Sequence, residues 1–293
     1  MNLRRQLHMI EWMVAIVAYV YLFYTLVTYE HYDAVAHSLR TITWHHWTAL
    51  VLCVCLMPVN MALEAWRWKT LIPMPFGEAQ RQVYYSKLAG IVTPWRLGEY
   101  PARGVMEVQR DNLHPSKEVA AKVLSMGAVG SATMTIAIIL AGVTAMVFSP
   151  QLLTVLGGSY LNALITISLV LAVLLALAPR TLKRWAEVNG ALLWTSVAQS
   201  LVRLACWCVQ LALVLFALRA DFQFSLPYFQ LLPVYYLLVT VTPNIPIVEA
   251  GVRGAWAMWL FGAPNAALAG VLLWGINTLL PCLTWFFLRK KAE

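Results

Sequence analysis

Two Glu-x-x-x-Arg-Gly motifs lie in otherwise apolar stretches and contain the side chains best suited to bind an anion. Glu99 and Arg103 form the first motif, and Glu249 and Arg253 form the second. Residues four apart on a helix share a face, so each carboxylate can pair with the guanidinium of its own motif. A guanidinium is also a forked donor that suits phosphate. The candidate ligands of a phosphate-bearing headgroup are Arg96, Arg103, Arg203 and Arg253.

Proline precedes each motif and indicates a break in the chain. Pro94 lies before the first motif, and Pro243 and Pro246 lie before the second. Proline suits the start of a helix, where a missing N–H costs little. We therefore expect short helices to begin at Pro94 and Pro243, with N-terminal ends that face the membrane interior and attract anions.

The composition places these motifs in a membrane protein. Of the 293 residues, 61% are hydrophobic and 12% are charged, against about 25% charged in an average soluble domain. The mean hydropathy is +0.69. These values exclude a water-soluble globular enzyme and a disordered chain. We attribute the net charge of +8 to basic cytoplasmic loops, and we expect no nucleic-acid partner.

Six apolar runs are long enough to cross a bilayer, which requires about 20 residues. Two further segments, 82–106 and 227–262, are apolar but interrupted by proline and charge. We predict an all-α polytopic protein with six full spans, in which these two segments form re-entrant or broken helical hairpins. If both hairpins cross the membrane, the protein has eight spans. Broken backbone at membrane depth requires protein or water around it. The six full spans are 12–29, which we expect to be retained rather than cleaved, 44–63, 123–148, 160–178, 191–218 and 264–288.

The basic residues predict that both termini are cytoplasmic. In that orientation 17 of the 21 lysines and arginines lie on the inside, as the positive-inside rule requires. Re-entrant and crossing hairpins give the same orientation, so the charge distribution leaves that alternative open.

The two interrupted segments resemble each other and indicate an internal duplication. Each contains Val-Tyr-Tyr, then Thr-Pro, then Glu-x-x-x-Arg-Gly, and a Cys-x-Cys pair lies upstream of each. We divide the single membrane domain, 1–293, into repeats 1–150 and 151–293, of which the second starts on the opposite side of the membrane. Inverted repeats of this kind place a substrate site near the midplane, at broken helices.

Two interpretations of the charged motifs remain open. They are either closed ion pairs that hold the hairpins, or a site in which Glu99 and Glu249 neutralise the arginines when no ligand is bound or carry a coupling proton. Ionisable groups within a membrane are costly and mark function by default, so we favour lipid or ion handling.

Other polar residues receive a structural interpretation. We interpret Glu64 and Arg67 as an interfacial anchor at the end of the second span, with Trp66 and Trp68 beside them, and Lys87 as a loop or interface charge. The five cysteines have no metal-ligand spacing and no nucleotide or nucleophile motif is present, so we expect no cofactor and no metal.

The sequence resembles the transmembrane, flippase-like domain family of lysylphosphatidylglycerol synthase. The resemblance rests on Arg67-Trp68, on Pro94-x-Arg96-x-Gly98-Glu99-x3-Arg103, and on Pro243, Pro246 and Glu249-x-Gly251. It implies an integral protein of a prokaryotic inner membrane with two inverted repeats and re-entrant helices, which binds lipids or moves them between leaflets. Because full-length synthases add a soluble aminoacyl-transferase domain, we expect a stand-alone member without synthase activity.

These observations together predict a flippase or scramblase for an anionic or phosphate-bearing lipid, held between the two broken segments near the midplane. One alternative is a non-transporting lipid-binding partner of an envelope glycosyltransferase or assembly system. Another is a membrane enzyme that acts on a lipid phosphate, and a third is an ion-coupled transporter of a small solute.

Overall fold

The computed structural model describes residues 40–91, 98–110, 117–148, 190–220, 222–242 and 246–289, together with Ala36 and Thr93. Side chains are described throughout these ranges except at 108–110, 117–120, 246–248 and 286–289. The described ranges contain eight principal helices and no strand. These helices are α1 (Trp44–Leu71), α2 (Phe76–Ile91), α3 (Glu99–Arg110), α4 (Lys117–Val147), α5 (Gly190–Ala217), α6 (Leu226–Val241), α7 (Pro246–Phe261) and α8 (Pro264–Arg289).

Four of these helices are long and apolar enough to cross a membrane, which makes the chain a helical membrane protein. The candidate spans are Trp44–Leu71, Ala121–Val147, Gly190–Ala217 and Pro264–Trp285. They match four of the six predicted spans. The other two, 12–29 and 160–178, lie outside the described residues. The second predicted span was too short, because α1 continues eight residues beyond position 63.

Each interrupted segment contains two short helices. Helices α2, α6 and α7 have 16 residues each and α3 has 12, less than the about 20 that a full crossing needs. Gly98 caps α3, since its carbonyl accepts from the Ala102 amide at 3.2 Å, and α7 is described from Pro246. Pro94 and Pro243 lie outside the described residues, so the helix starts expected there stay predictions.

The centre of the fold is the packing of α1 against α5. Cys53 of α1 contacts Gln210 of α5, and Thr70, near the other end of α1, contacts Gln199. The residue numbers fall along α5 as they rise along α1, so the two helices are antiparallel. Pro58 lies within α1 near the middle of this pair.

The packing of the first four helices corresponds to that of the last four. Helix α4 of the first half packs on α6 of the second half, and correspondingly α8 of the second half packs on α2 of the first. Within the halves, α3 packs on α4, and α7 packs on α8. The thiol of Cys53 approaches the Gln210 carbonyl at 3.4 Å, and the thiol of Cys206 approaches the Leu56 carbonyl at 4.0 Å. Several helix contacts of the first half therefore have a counterpart in the second half.

Helices α7 and α8 approach each other closely at glycine. A methyl group added to Gly270 of α8 would lie 2.5 Å from the carbonyl oxygen of Arg253 and 3.1 Å from the amide nitrogen of Gly254, both on α7. Small residues permit such close approach between membrane helices. The backbone of the second charged motif is therefore held directly against α8.

We expect Gly270→Ala to destabilise the protein by about 1–3 kcal/mol, because the added methyl group meets backbone that can yield only by separating α7 from α8. Thermal unfolding in detergent measures this loss. Gly275→Ala on the same helix is the matched control, since its methyl group meets nothing within 4 Å. Equal unfolding temperatures for the two variants would contradict the close contact.

The antiparallel α1–α5 pair also predicts membrane sidedness. Exposed Gly77 is the second residue of α2, the helix that follows α1, and exposed Gln223 precedes α6, the helix that follows α5. With the five native cysteines replaced by alanine, we expect an impermeant maleimide to label Gln223→Cys from outside intact cells. Gly77→Cys should react only after permeabilisation. Labelling of both positions from one side would exclude this arrangement.

Candidate functional site

The site is built around the carboxylate of Glu64, which binds three arginines from three helices. Arg67 of α1 donates from Nη2 to Oε2 at 2.6 Å, and Arg203 of α5 donates from Nη1 to the same oxygen at 2.5 Å. Arg103 of α3 donates from Nη2 to Oε1 at 3.0 Å. All four side chains are buried. We call Glu64, Arg67, Arg103 and Arg203 the Glu64 cluster.

Other acceptors hold each guanidinium of the cluster in place. Arg67 Nη1 donates to the Gly130 carbonyl at 2.8 Å and to Ser200 Oγ at 2.9 Å. Arg103 Nε donates to Ser86 Oγ at 3.1 Å, and Arg203 Nε donates to Asn60 Oδ1 at 2.8 Å.

Aromatic rings lie under two of the arginines and complete their environment. Arg103 lies over the ring of Trp68 at 4.7 Å and Arg203 over that of Trp207 at 4.8 Å. Both distances are within the range of a cation–π interaction. The arginines are therefore positioned by groups other than Glu64 as well.

The first charged motif extends this cluster through a second buried pair. Glu99 lies 3.5 Å from Arg103, and Lys87 Nζ donates to both Glu99 oxygens at 2.8 and 3.0 Å. Glu99 is the first residue of α3 and so supplies negative charge at that helix N-terminus. A carboxylate of the protein itself therefore lies at a helix end that was expected to attract a foreign anion.

Among the described residues, the buried ion pairs around Glu64 and Glu99 contain more positive than negative charge. Glu64 and Glu99 face four cations, which are Arg67, Lys87, Arg103 and Arg203. At Glu64 itself one carboxylate serves three guanidiniums. Buried charge normally requires compensation, so the arrangement is suited to receive a further negative group.

Polar side chains continue from the cluster along the α1–α5 interface. Asn60, one turn before Glu64, donates to Asn277 Oδ1 at 2.7 Å. Asn277 of α8 donates to Gln210 Oε1 at 3.0 Å, and Gln210 donates to the Cys53 carbonyl at 3.1 Å. We call Asn60, Asn277 and Gln210 the central amide layer. It connects three helices by hydrogen bonds in an otherwise apolar interior.

The second charged motif lies next to this layer. Arg253 donates from Nη2 and Nε to Glu249 Oε1 at 2.8 and 3.0 Å, and Trp274 Nε1 lies 3.3 Å from Glu249 Oε2. Trp274 is three residues before Asn277 on α8, which is less than one helical turn. The central amide layer therefore lies between the two ionic groups.

The structure brings together part of the predicted site. Both Glu-x-x-x-Arg pairs form, and Arg103 and Arg203 meet at Glu64. Arg253 pairs with Glu249 and contacts α8 instead of joining this cluster. Pro246 starts α7. Arg96, with Pro94 and Pro243, lies outside the described residues.

Two interpretations from the sequence were wrong. Glu64 and Arg67 are buried and bind each other and partners on other helices, so they are not an interfacial anchor. Lys87 is buried against Glu99 and is not a loop charge. The sequence did contain an indication of the Glu64–Arg67 pair. These two residues are three apart and can share a helix face, as the acid and the base of each Glu-x-x-x-Arg motif do.

The cluster is closely packed in this structure. The cavity beside it, lined in part by Tyr100, Arg103 and Ser131, has a volume of about 10 Å³, which is room for about one water molecule. A larger apolar groove of about 600 Å³ opens on the outer surface between α4, α5 and α6, where Leu140, Leu201 and Phe229 line it. Among the described residues, no group of three or more His, Cys, Asp or Glu side chains could hold a metal ion.

No protein-family model matches this sequence, and no curated protein shows significant similarity to it. The resemblance to the membrane domain of lysylphosphatidylglycerol synthase therefore stays a hypothesis.

We expect Glu64→Gln to lower stability by about 3–5 kcal/mol, because it leaves Arg67, Arg103 and Arg203 buried without their shared counter-ion. The measurement is thermal unfolding in detergent. Glu78→Gln is the matched control, because the partner of Glu78, Arg81, is 55% exposed and exposed pairs contribute at most about 1 kcal/mol. A loss for Glu64→Gln no larger than that of the control would show that the cluster adds no stability.

Proposed function

We propose that this protein binds the phosphate group of a membrane lipid in its interior and moves the lipid between leaflets. The observation that carries the proposal is the buried Glu64 cluster, in which three guanidiniums converge on one carboxylate. Arginine clusters of this kind are suited to phosphate, and ionisable groups within a membrane mark a functional path by default.

The internal correspondence of the two halves supports transport rather than static binding. Helices α1 and α5 are antiparallel, and the packing partners of each half have counterparts in the other. We infer an inverted repeat, the architecture with which many transporters alternate access to a central site by rocking one half against the other.

The two ionic groups provide successive positions along such a path. The Glu64 cluster and the Glu249–Arg253 pair each contain arginine, and the central amide layer of Asn60, Asn277 and Gln210 lies between them. A headgroup that leaves one arginine site meets amide donors before it reaches the next. The apolar groove between α4, α5 and α6 offers a surface for the acyl chains.

A non-transporting lipid-binding partner of an envelope assembly system is the second candidate. The close packing of the Glu64 cluster, with a cavity of about 10 Å³, favours this alternative. It predicts lipid binding without leaflet exchange, so the same reconstituted protein distinguishes the two functions.

The test is leaflet exchange of a fluorescent phospholipid in reconstituted vesicles, with a fluorescent ceramide as the lipid without phosphate. We expect the wild type to exchange the phospholipid and the double variant Glu249→Gln/Arg253→Gln to do so about tenfold more slowly, since hydrogen bonds to charged groups contribute about 1.5–3 kcal/mol. Replacing both partners leaves no unpaired buried charge, which preserves the fold.

The control is Glu78→Gln/Arg81→Gln, which removes an acid–base pair three residues apart at the surface. Exchange by this control should equal that of the wild type. Equal exchange by all three proteins, or equal exchange of phospholipid and ceramide, would overturn the proposal. Phospholipid retained on purified protein without exchange would identify the non-transporting function.

A further inference from the structure

We propose that the Glu64 carboxylate occupies a built-in anion site, and that a lipid phosphate binds Arg67, Arg103 and Arg203 by displacing it. This inference rests on the proposed function and assigns its headgroup site. The sequence motifs alone drew attention to Glu99 and Glu249, whereas the geometry points to Glu64.

Three helices supply the donors of this site. Arg67 and Arg203 share Glu64 Oε2, at 2.6 and 2.5 Å, and Arg103 binds Oε1 at 3.0 Å. Each arginine also has an acceptor outside the carboxylate, which is Ser200, Asn60 or Ser86. The guanidiniums therefore keep their positions when the carboxylate leaves.

A phosphate monoester, such as the headgroup of phosphatidic acid, matches these donors better than a carboxylate does, whereas a phosphodiester has only two terminal oxygens and one negative charge. A carboxylate offers two oxygens and one negative charge to three cationic groups. A phosphate monoester offers three terminal oxygens and a charge of about −1.5 to −2, so each guanidinium can bind a separate oxygen. The excess positive charge at Glu64 is then compensated.

The site needs space that the Glu64 side chain now fills. The adjoining cavity of about 10 Å³ is too small for phosphate, but it borders Tyr100 and Ser131, whose hydroxyls hydrogen-bond to each other. Movement of the Glu64 side chain joins its own volume to this cavity. Glu64 thus acts as the internal competitor of the ligand.

The test removes that competitor. Glu64→Ala deletes a fragment equivalent to acetate and leaves three guanidiniums around the vacated space. Thermal unfolding in detergent is measured in sodium phosphate, sodium acetate and sodium chloride at equal ionic strength. For Glu64→Ala we expect phosphate to raise Tm by about 5 °C or more at roughly one hundred times its Kd, with acetate weaker and chloride without effect. The wild type should show no such difference between the salts.

Two controls make the result specific. Glu78→Ala removes an acid from a surface pair and should behave as the wild type in all three salts. In the double variant Glu64→Ala/Arg203→Gln, the phosphate-dependent rise should be lost. A rise of equal size in the wild type or in Glu78→Ala, or its persistence in the double variant, overturns the proposal.

Glu64→Asp covers the case in which Glu64→Ala does not fold. Aspartate keeps the charge and draws the carboxylate back by one methylene, so phosphate should raise Tm for this variant above its effect on the wild type. An equal effect on Glu64→Asp and the wild type overturns the proposal.

A second arm identifies the source of the phosphate. Short-chain phosphatidic acid should stabilise Glu64→Ala at lower concentration than inorganic phosphate, whereas stabilisation by inorganic phosphate alone overturns the assignment to a lipid headgroup. If phosphate stabilises no Glu64 variant while the wild type still exchanges phospholipid, this site is wrong and the proposed function stands. If phosphate stabilises Glu64→Ala but the wild type exchanges no phospholipid, this site is right and the proposed transport function is wrong.

Discussion

The cost of burying arginine where no bulk water can solvate it is the constraint on which this structure depends. An uncompensated charge in an apolar environment is prohibitively expensive. Glu64 meets that constraint for three arginines at once, and the remaining donors bind hydroxyl, amide and carbonyl oxygens of neighbouring helices. Helices α1, α2, α3, α4 and α5 are joined through these contacts. Their relative positions are therefore set by electrostatics as well as by apolar packing.

Sequence reasoning succeeded where the relevant information is local. Hydropathy located four described spans, and the four-residue spacing predicted the Glu99–Arg103 and Glu249–Arg253 pairs. It failed at Glu64 because a span of about 20 residues from Trp44 ends just before it, whereas α1 continues to Leu71. The partner Arg203 lies 139 residues away in sequence. Only the packing of α1 on α5 decides whether that carboxylate faces lipid, water or arginine.

The two halves share a framework but differ in their chemistry. If the Cys53-x-Cys55 and Cys206-x-Cys208 pairs are aligned, the positions of Glu64 and Arg67 correspond to Ala217 and Ala220. Both alanines are buried. The second half therefore keeps small apolar residues where the first half has an acid and a base. The buried charges at Glu64 and Arg67 therefore have no charged counterpart at the aligned positions of the second half, although the helices of the two halves pack in corresponding ways.

Pro58 gives α1 a point of low bending stiffness between the central amide layer and the preceding part of the helix. A proline within a helix removes one backbone hydrogen bond and favours a kink. Glu64 lies six residues beyond it, which corresponds to about 9 Å along the axis. A change of about 10° in the bend at Pro58 therefore displaces Glu64 by roughly 1.5 Å, enough to break a hydrogen bond. Because Arg67 lies beyond Pro58 on the same helix as Glu64, a small change in this bend moves both side chains together. It can separate the shared carboxylate from Arg103 and Arg203 at the same time.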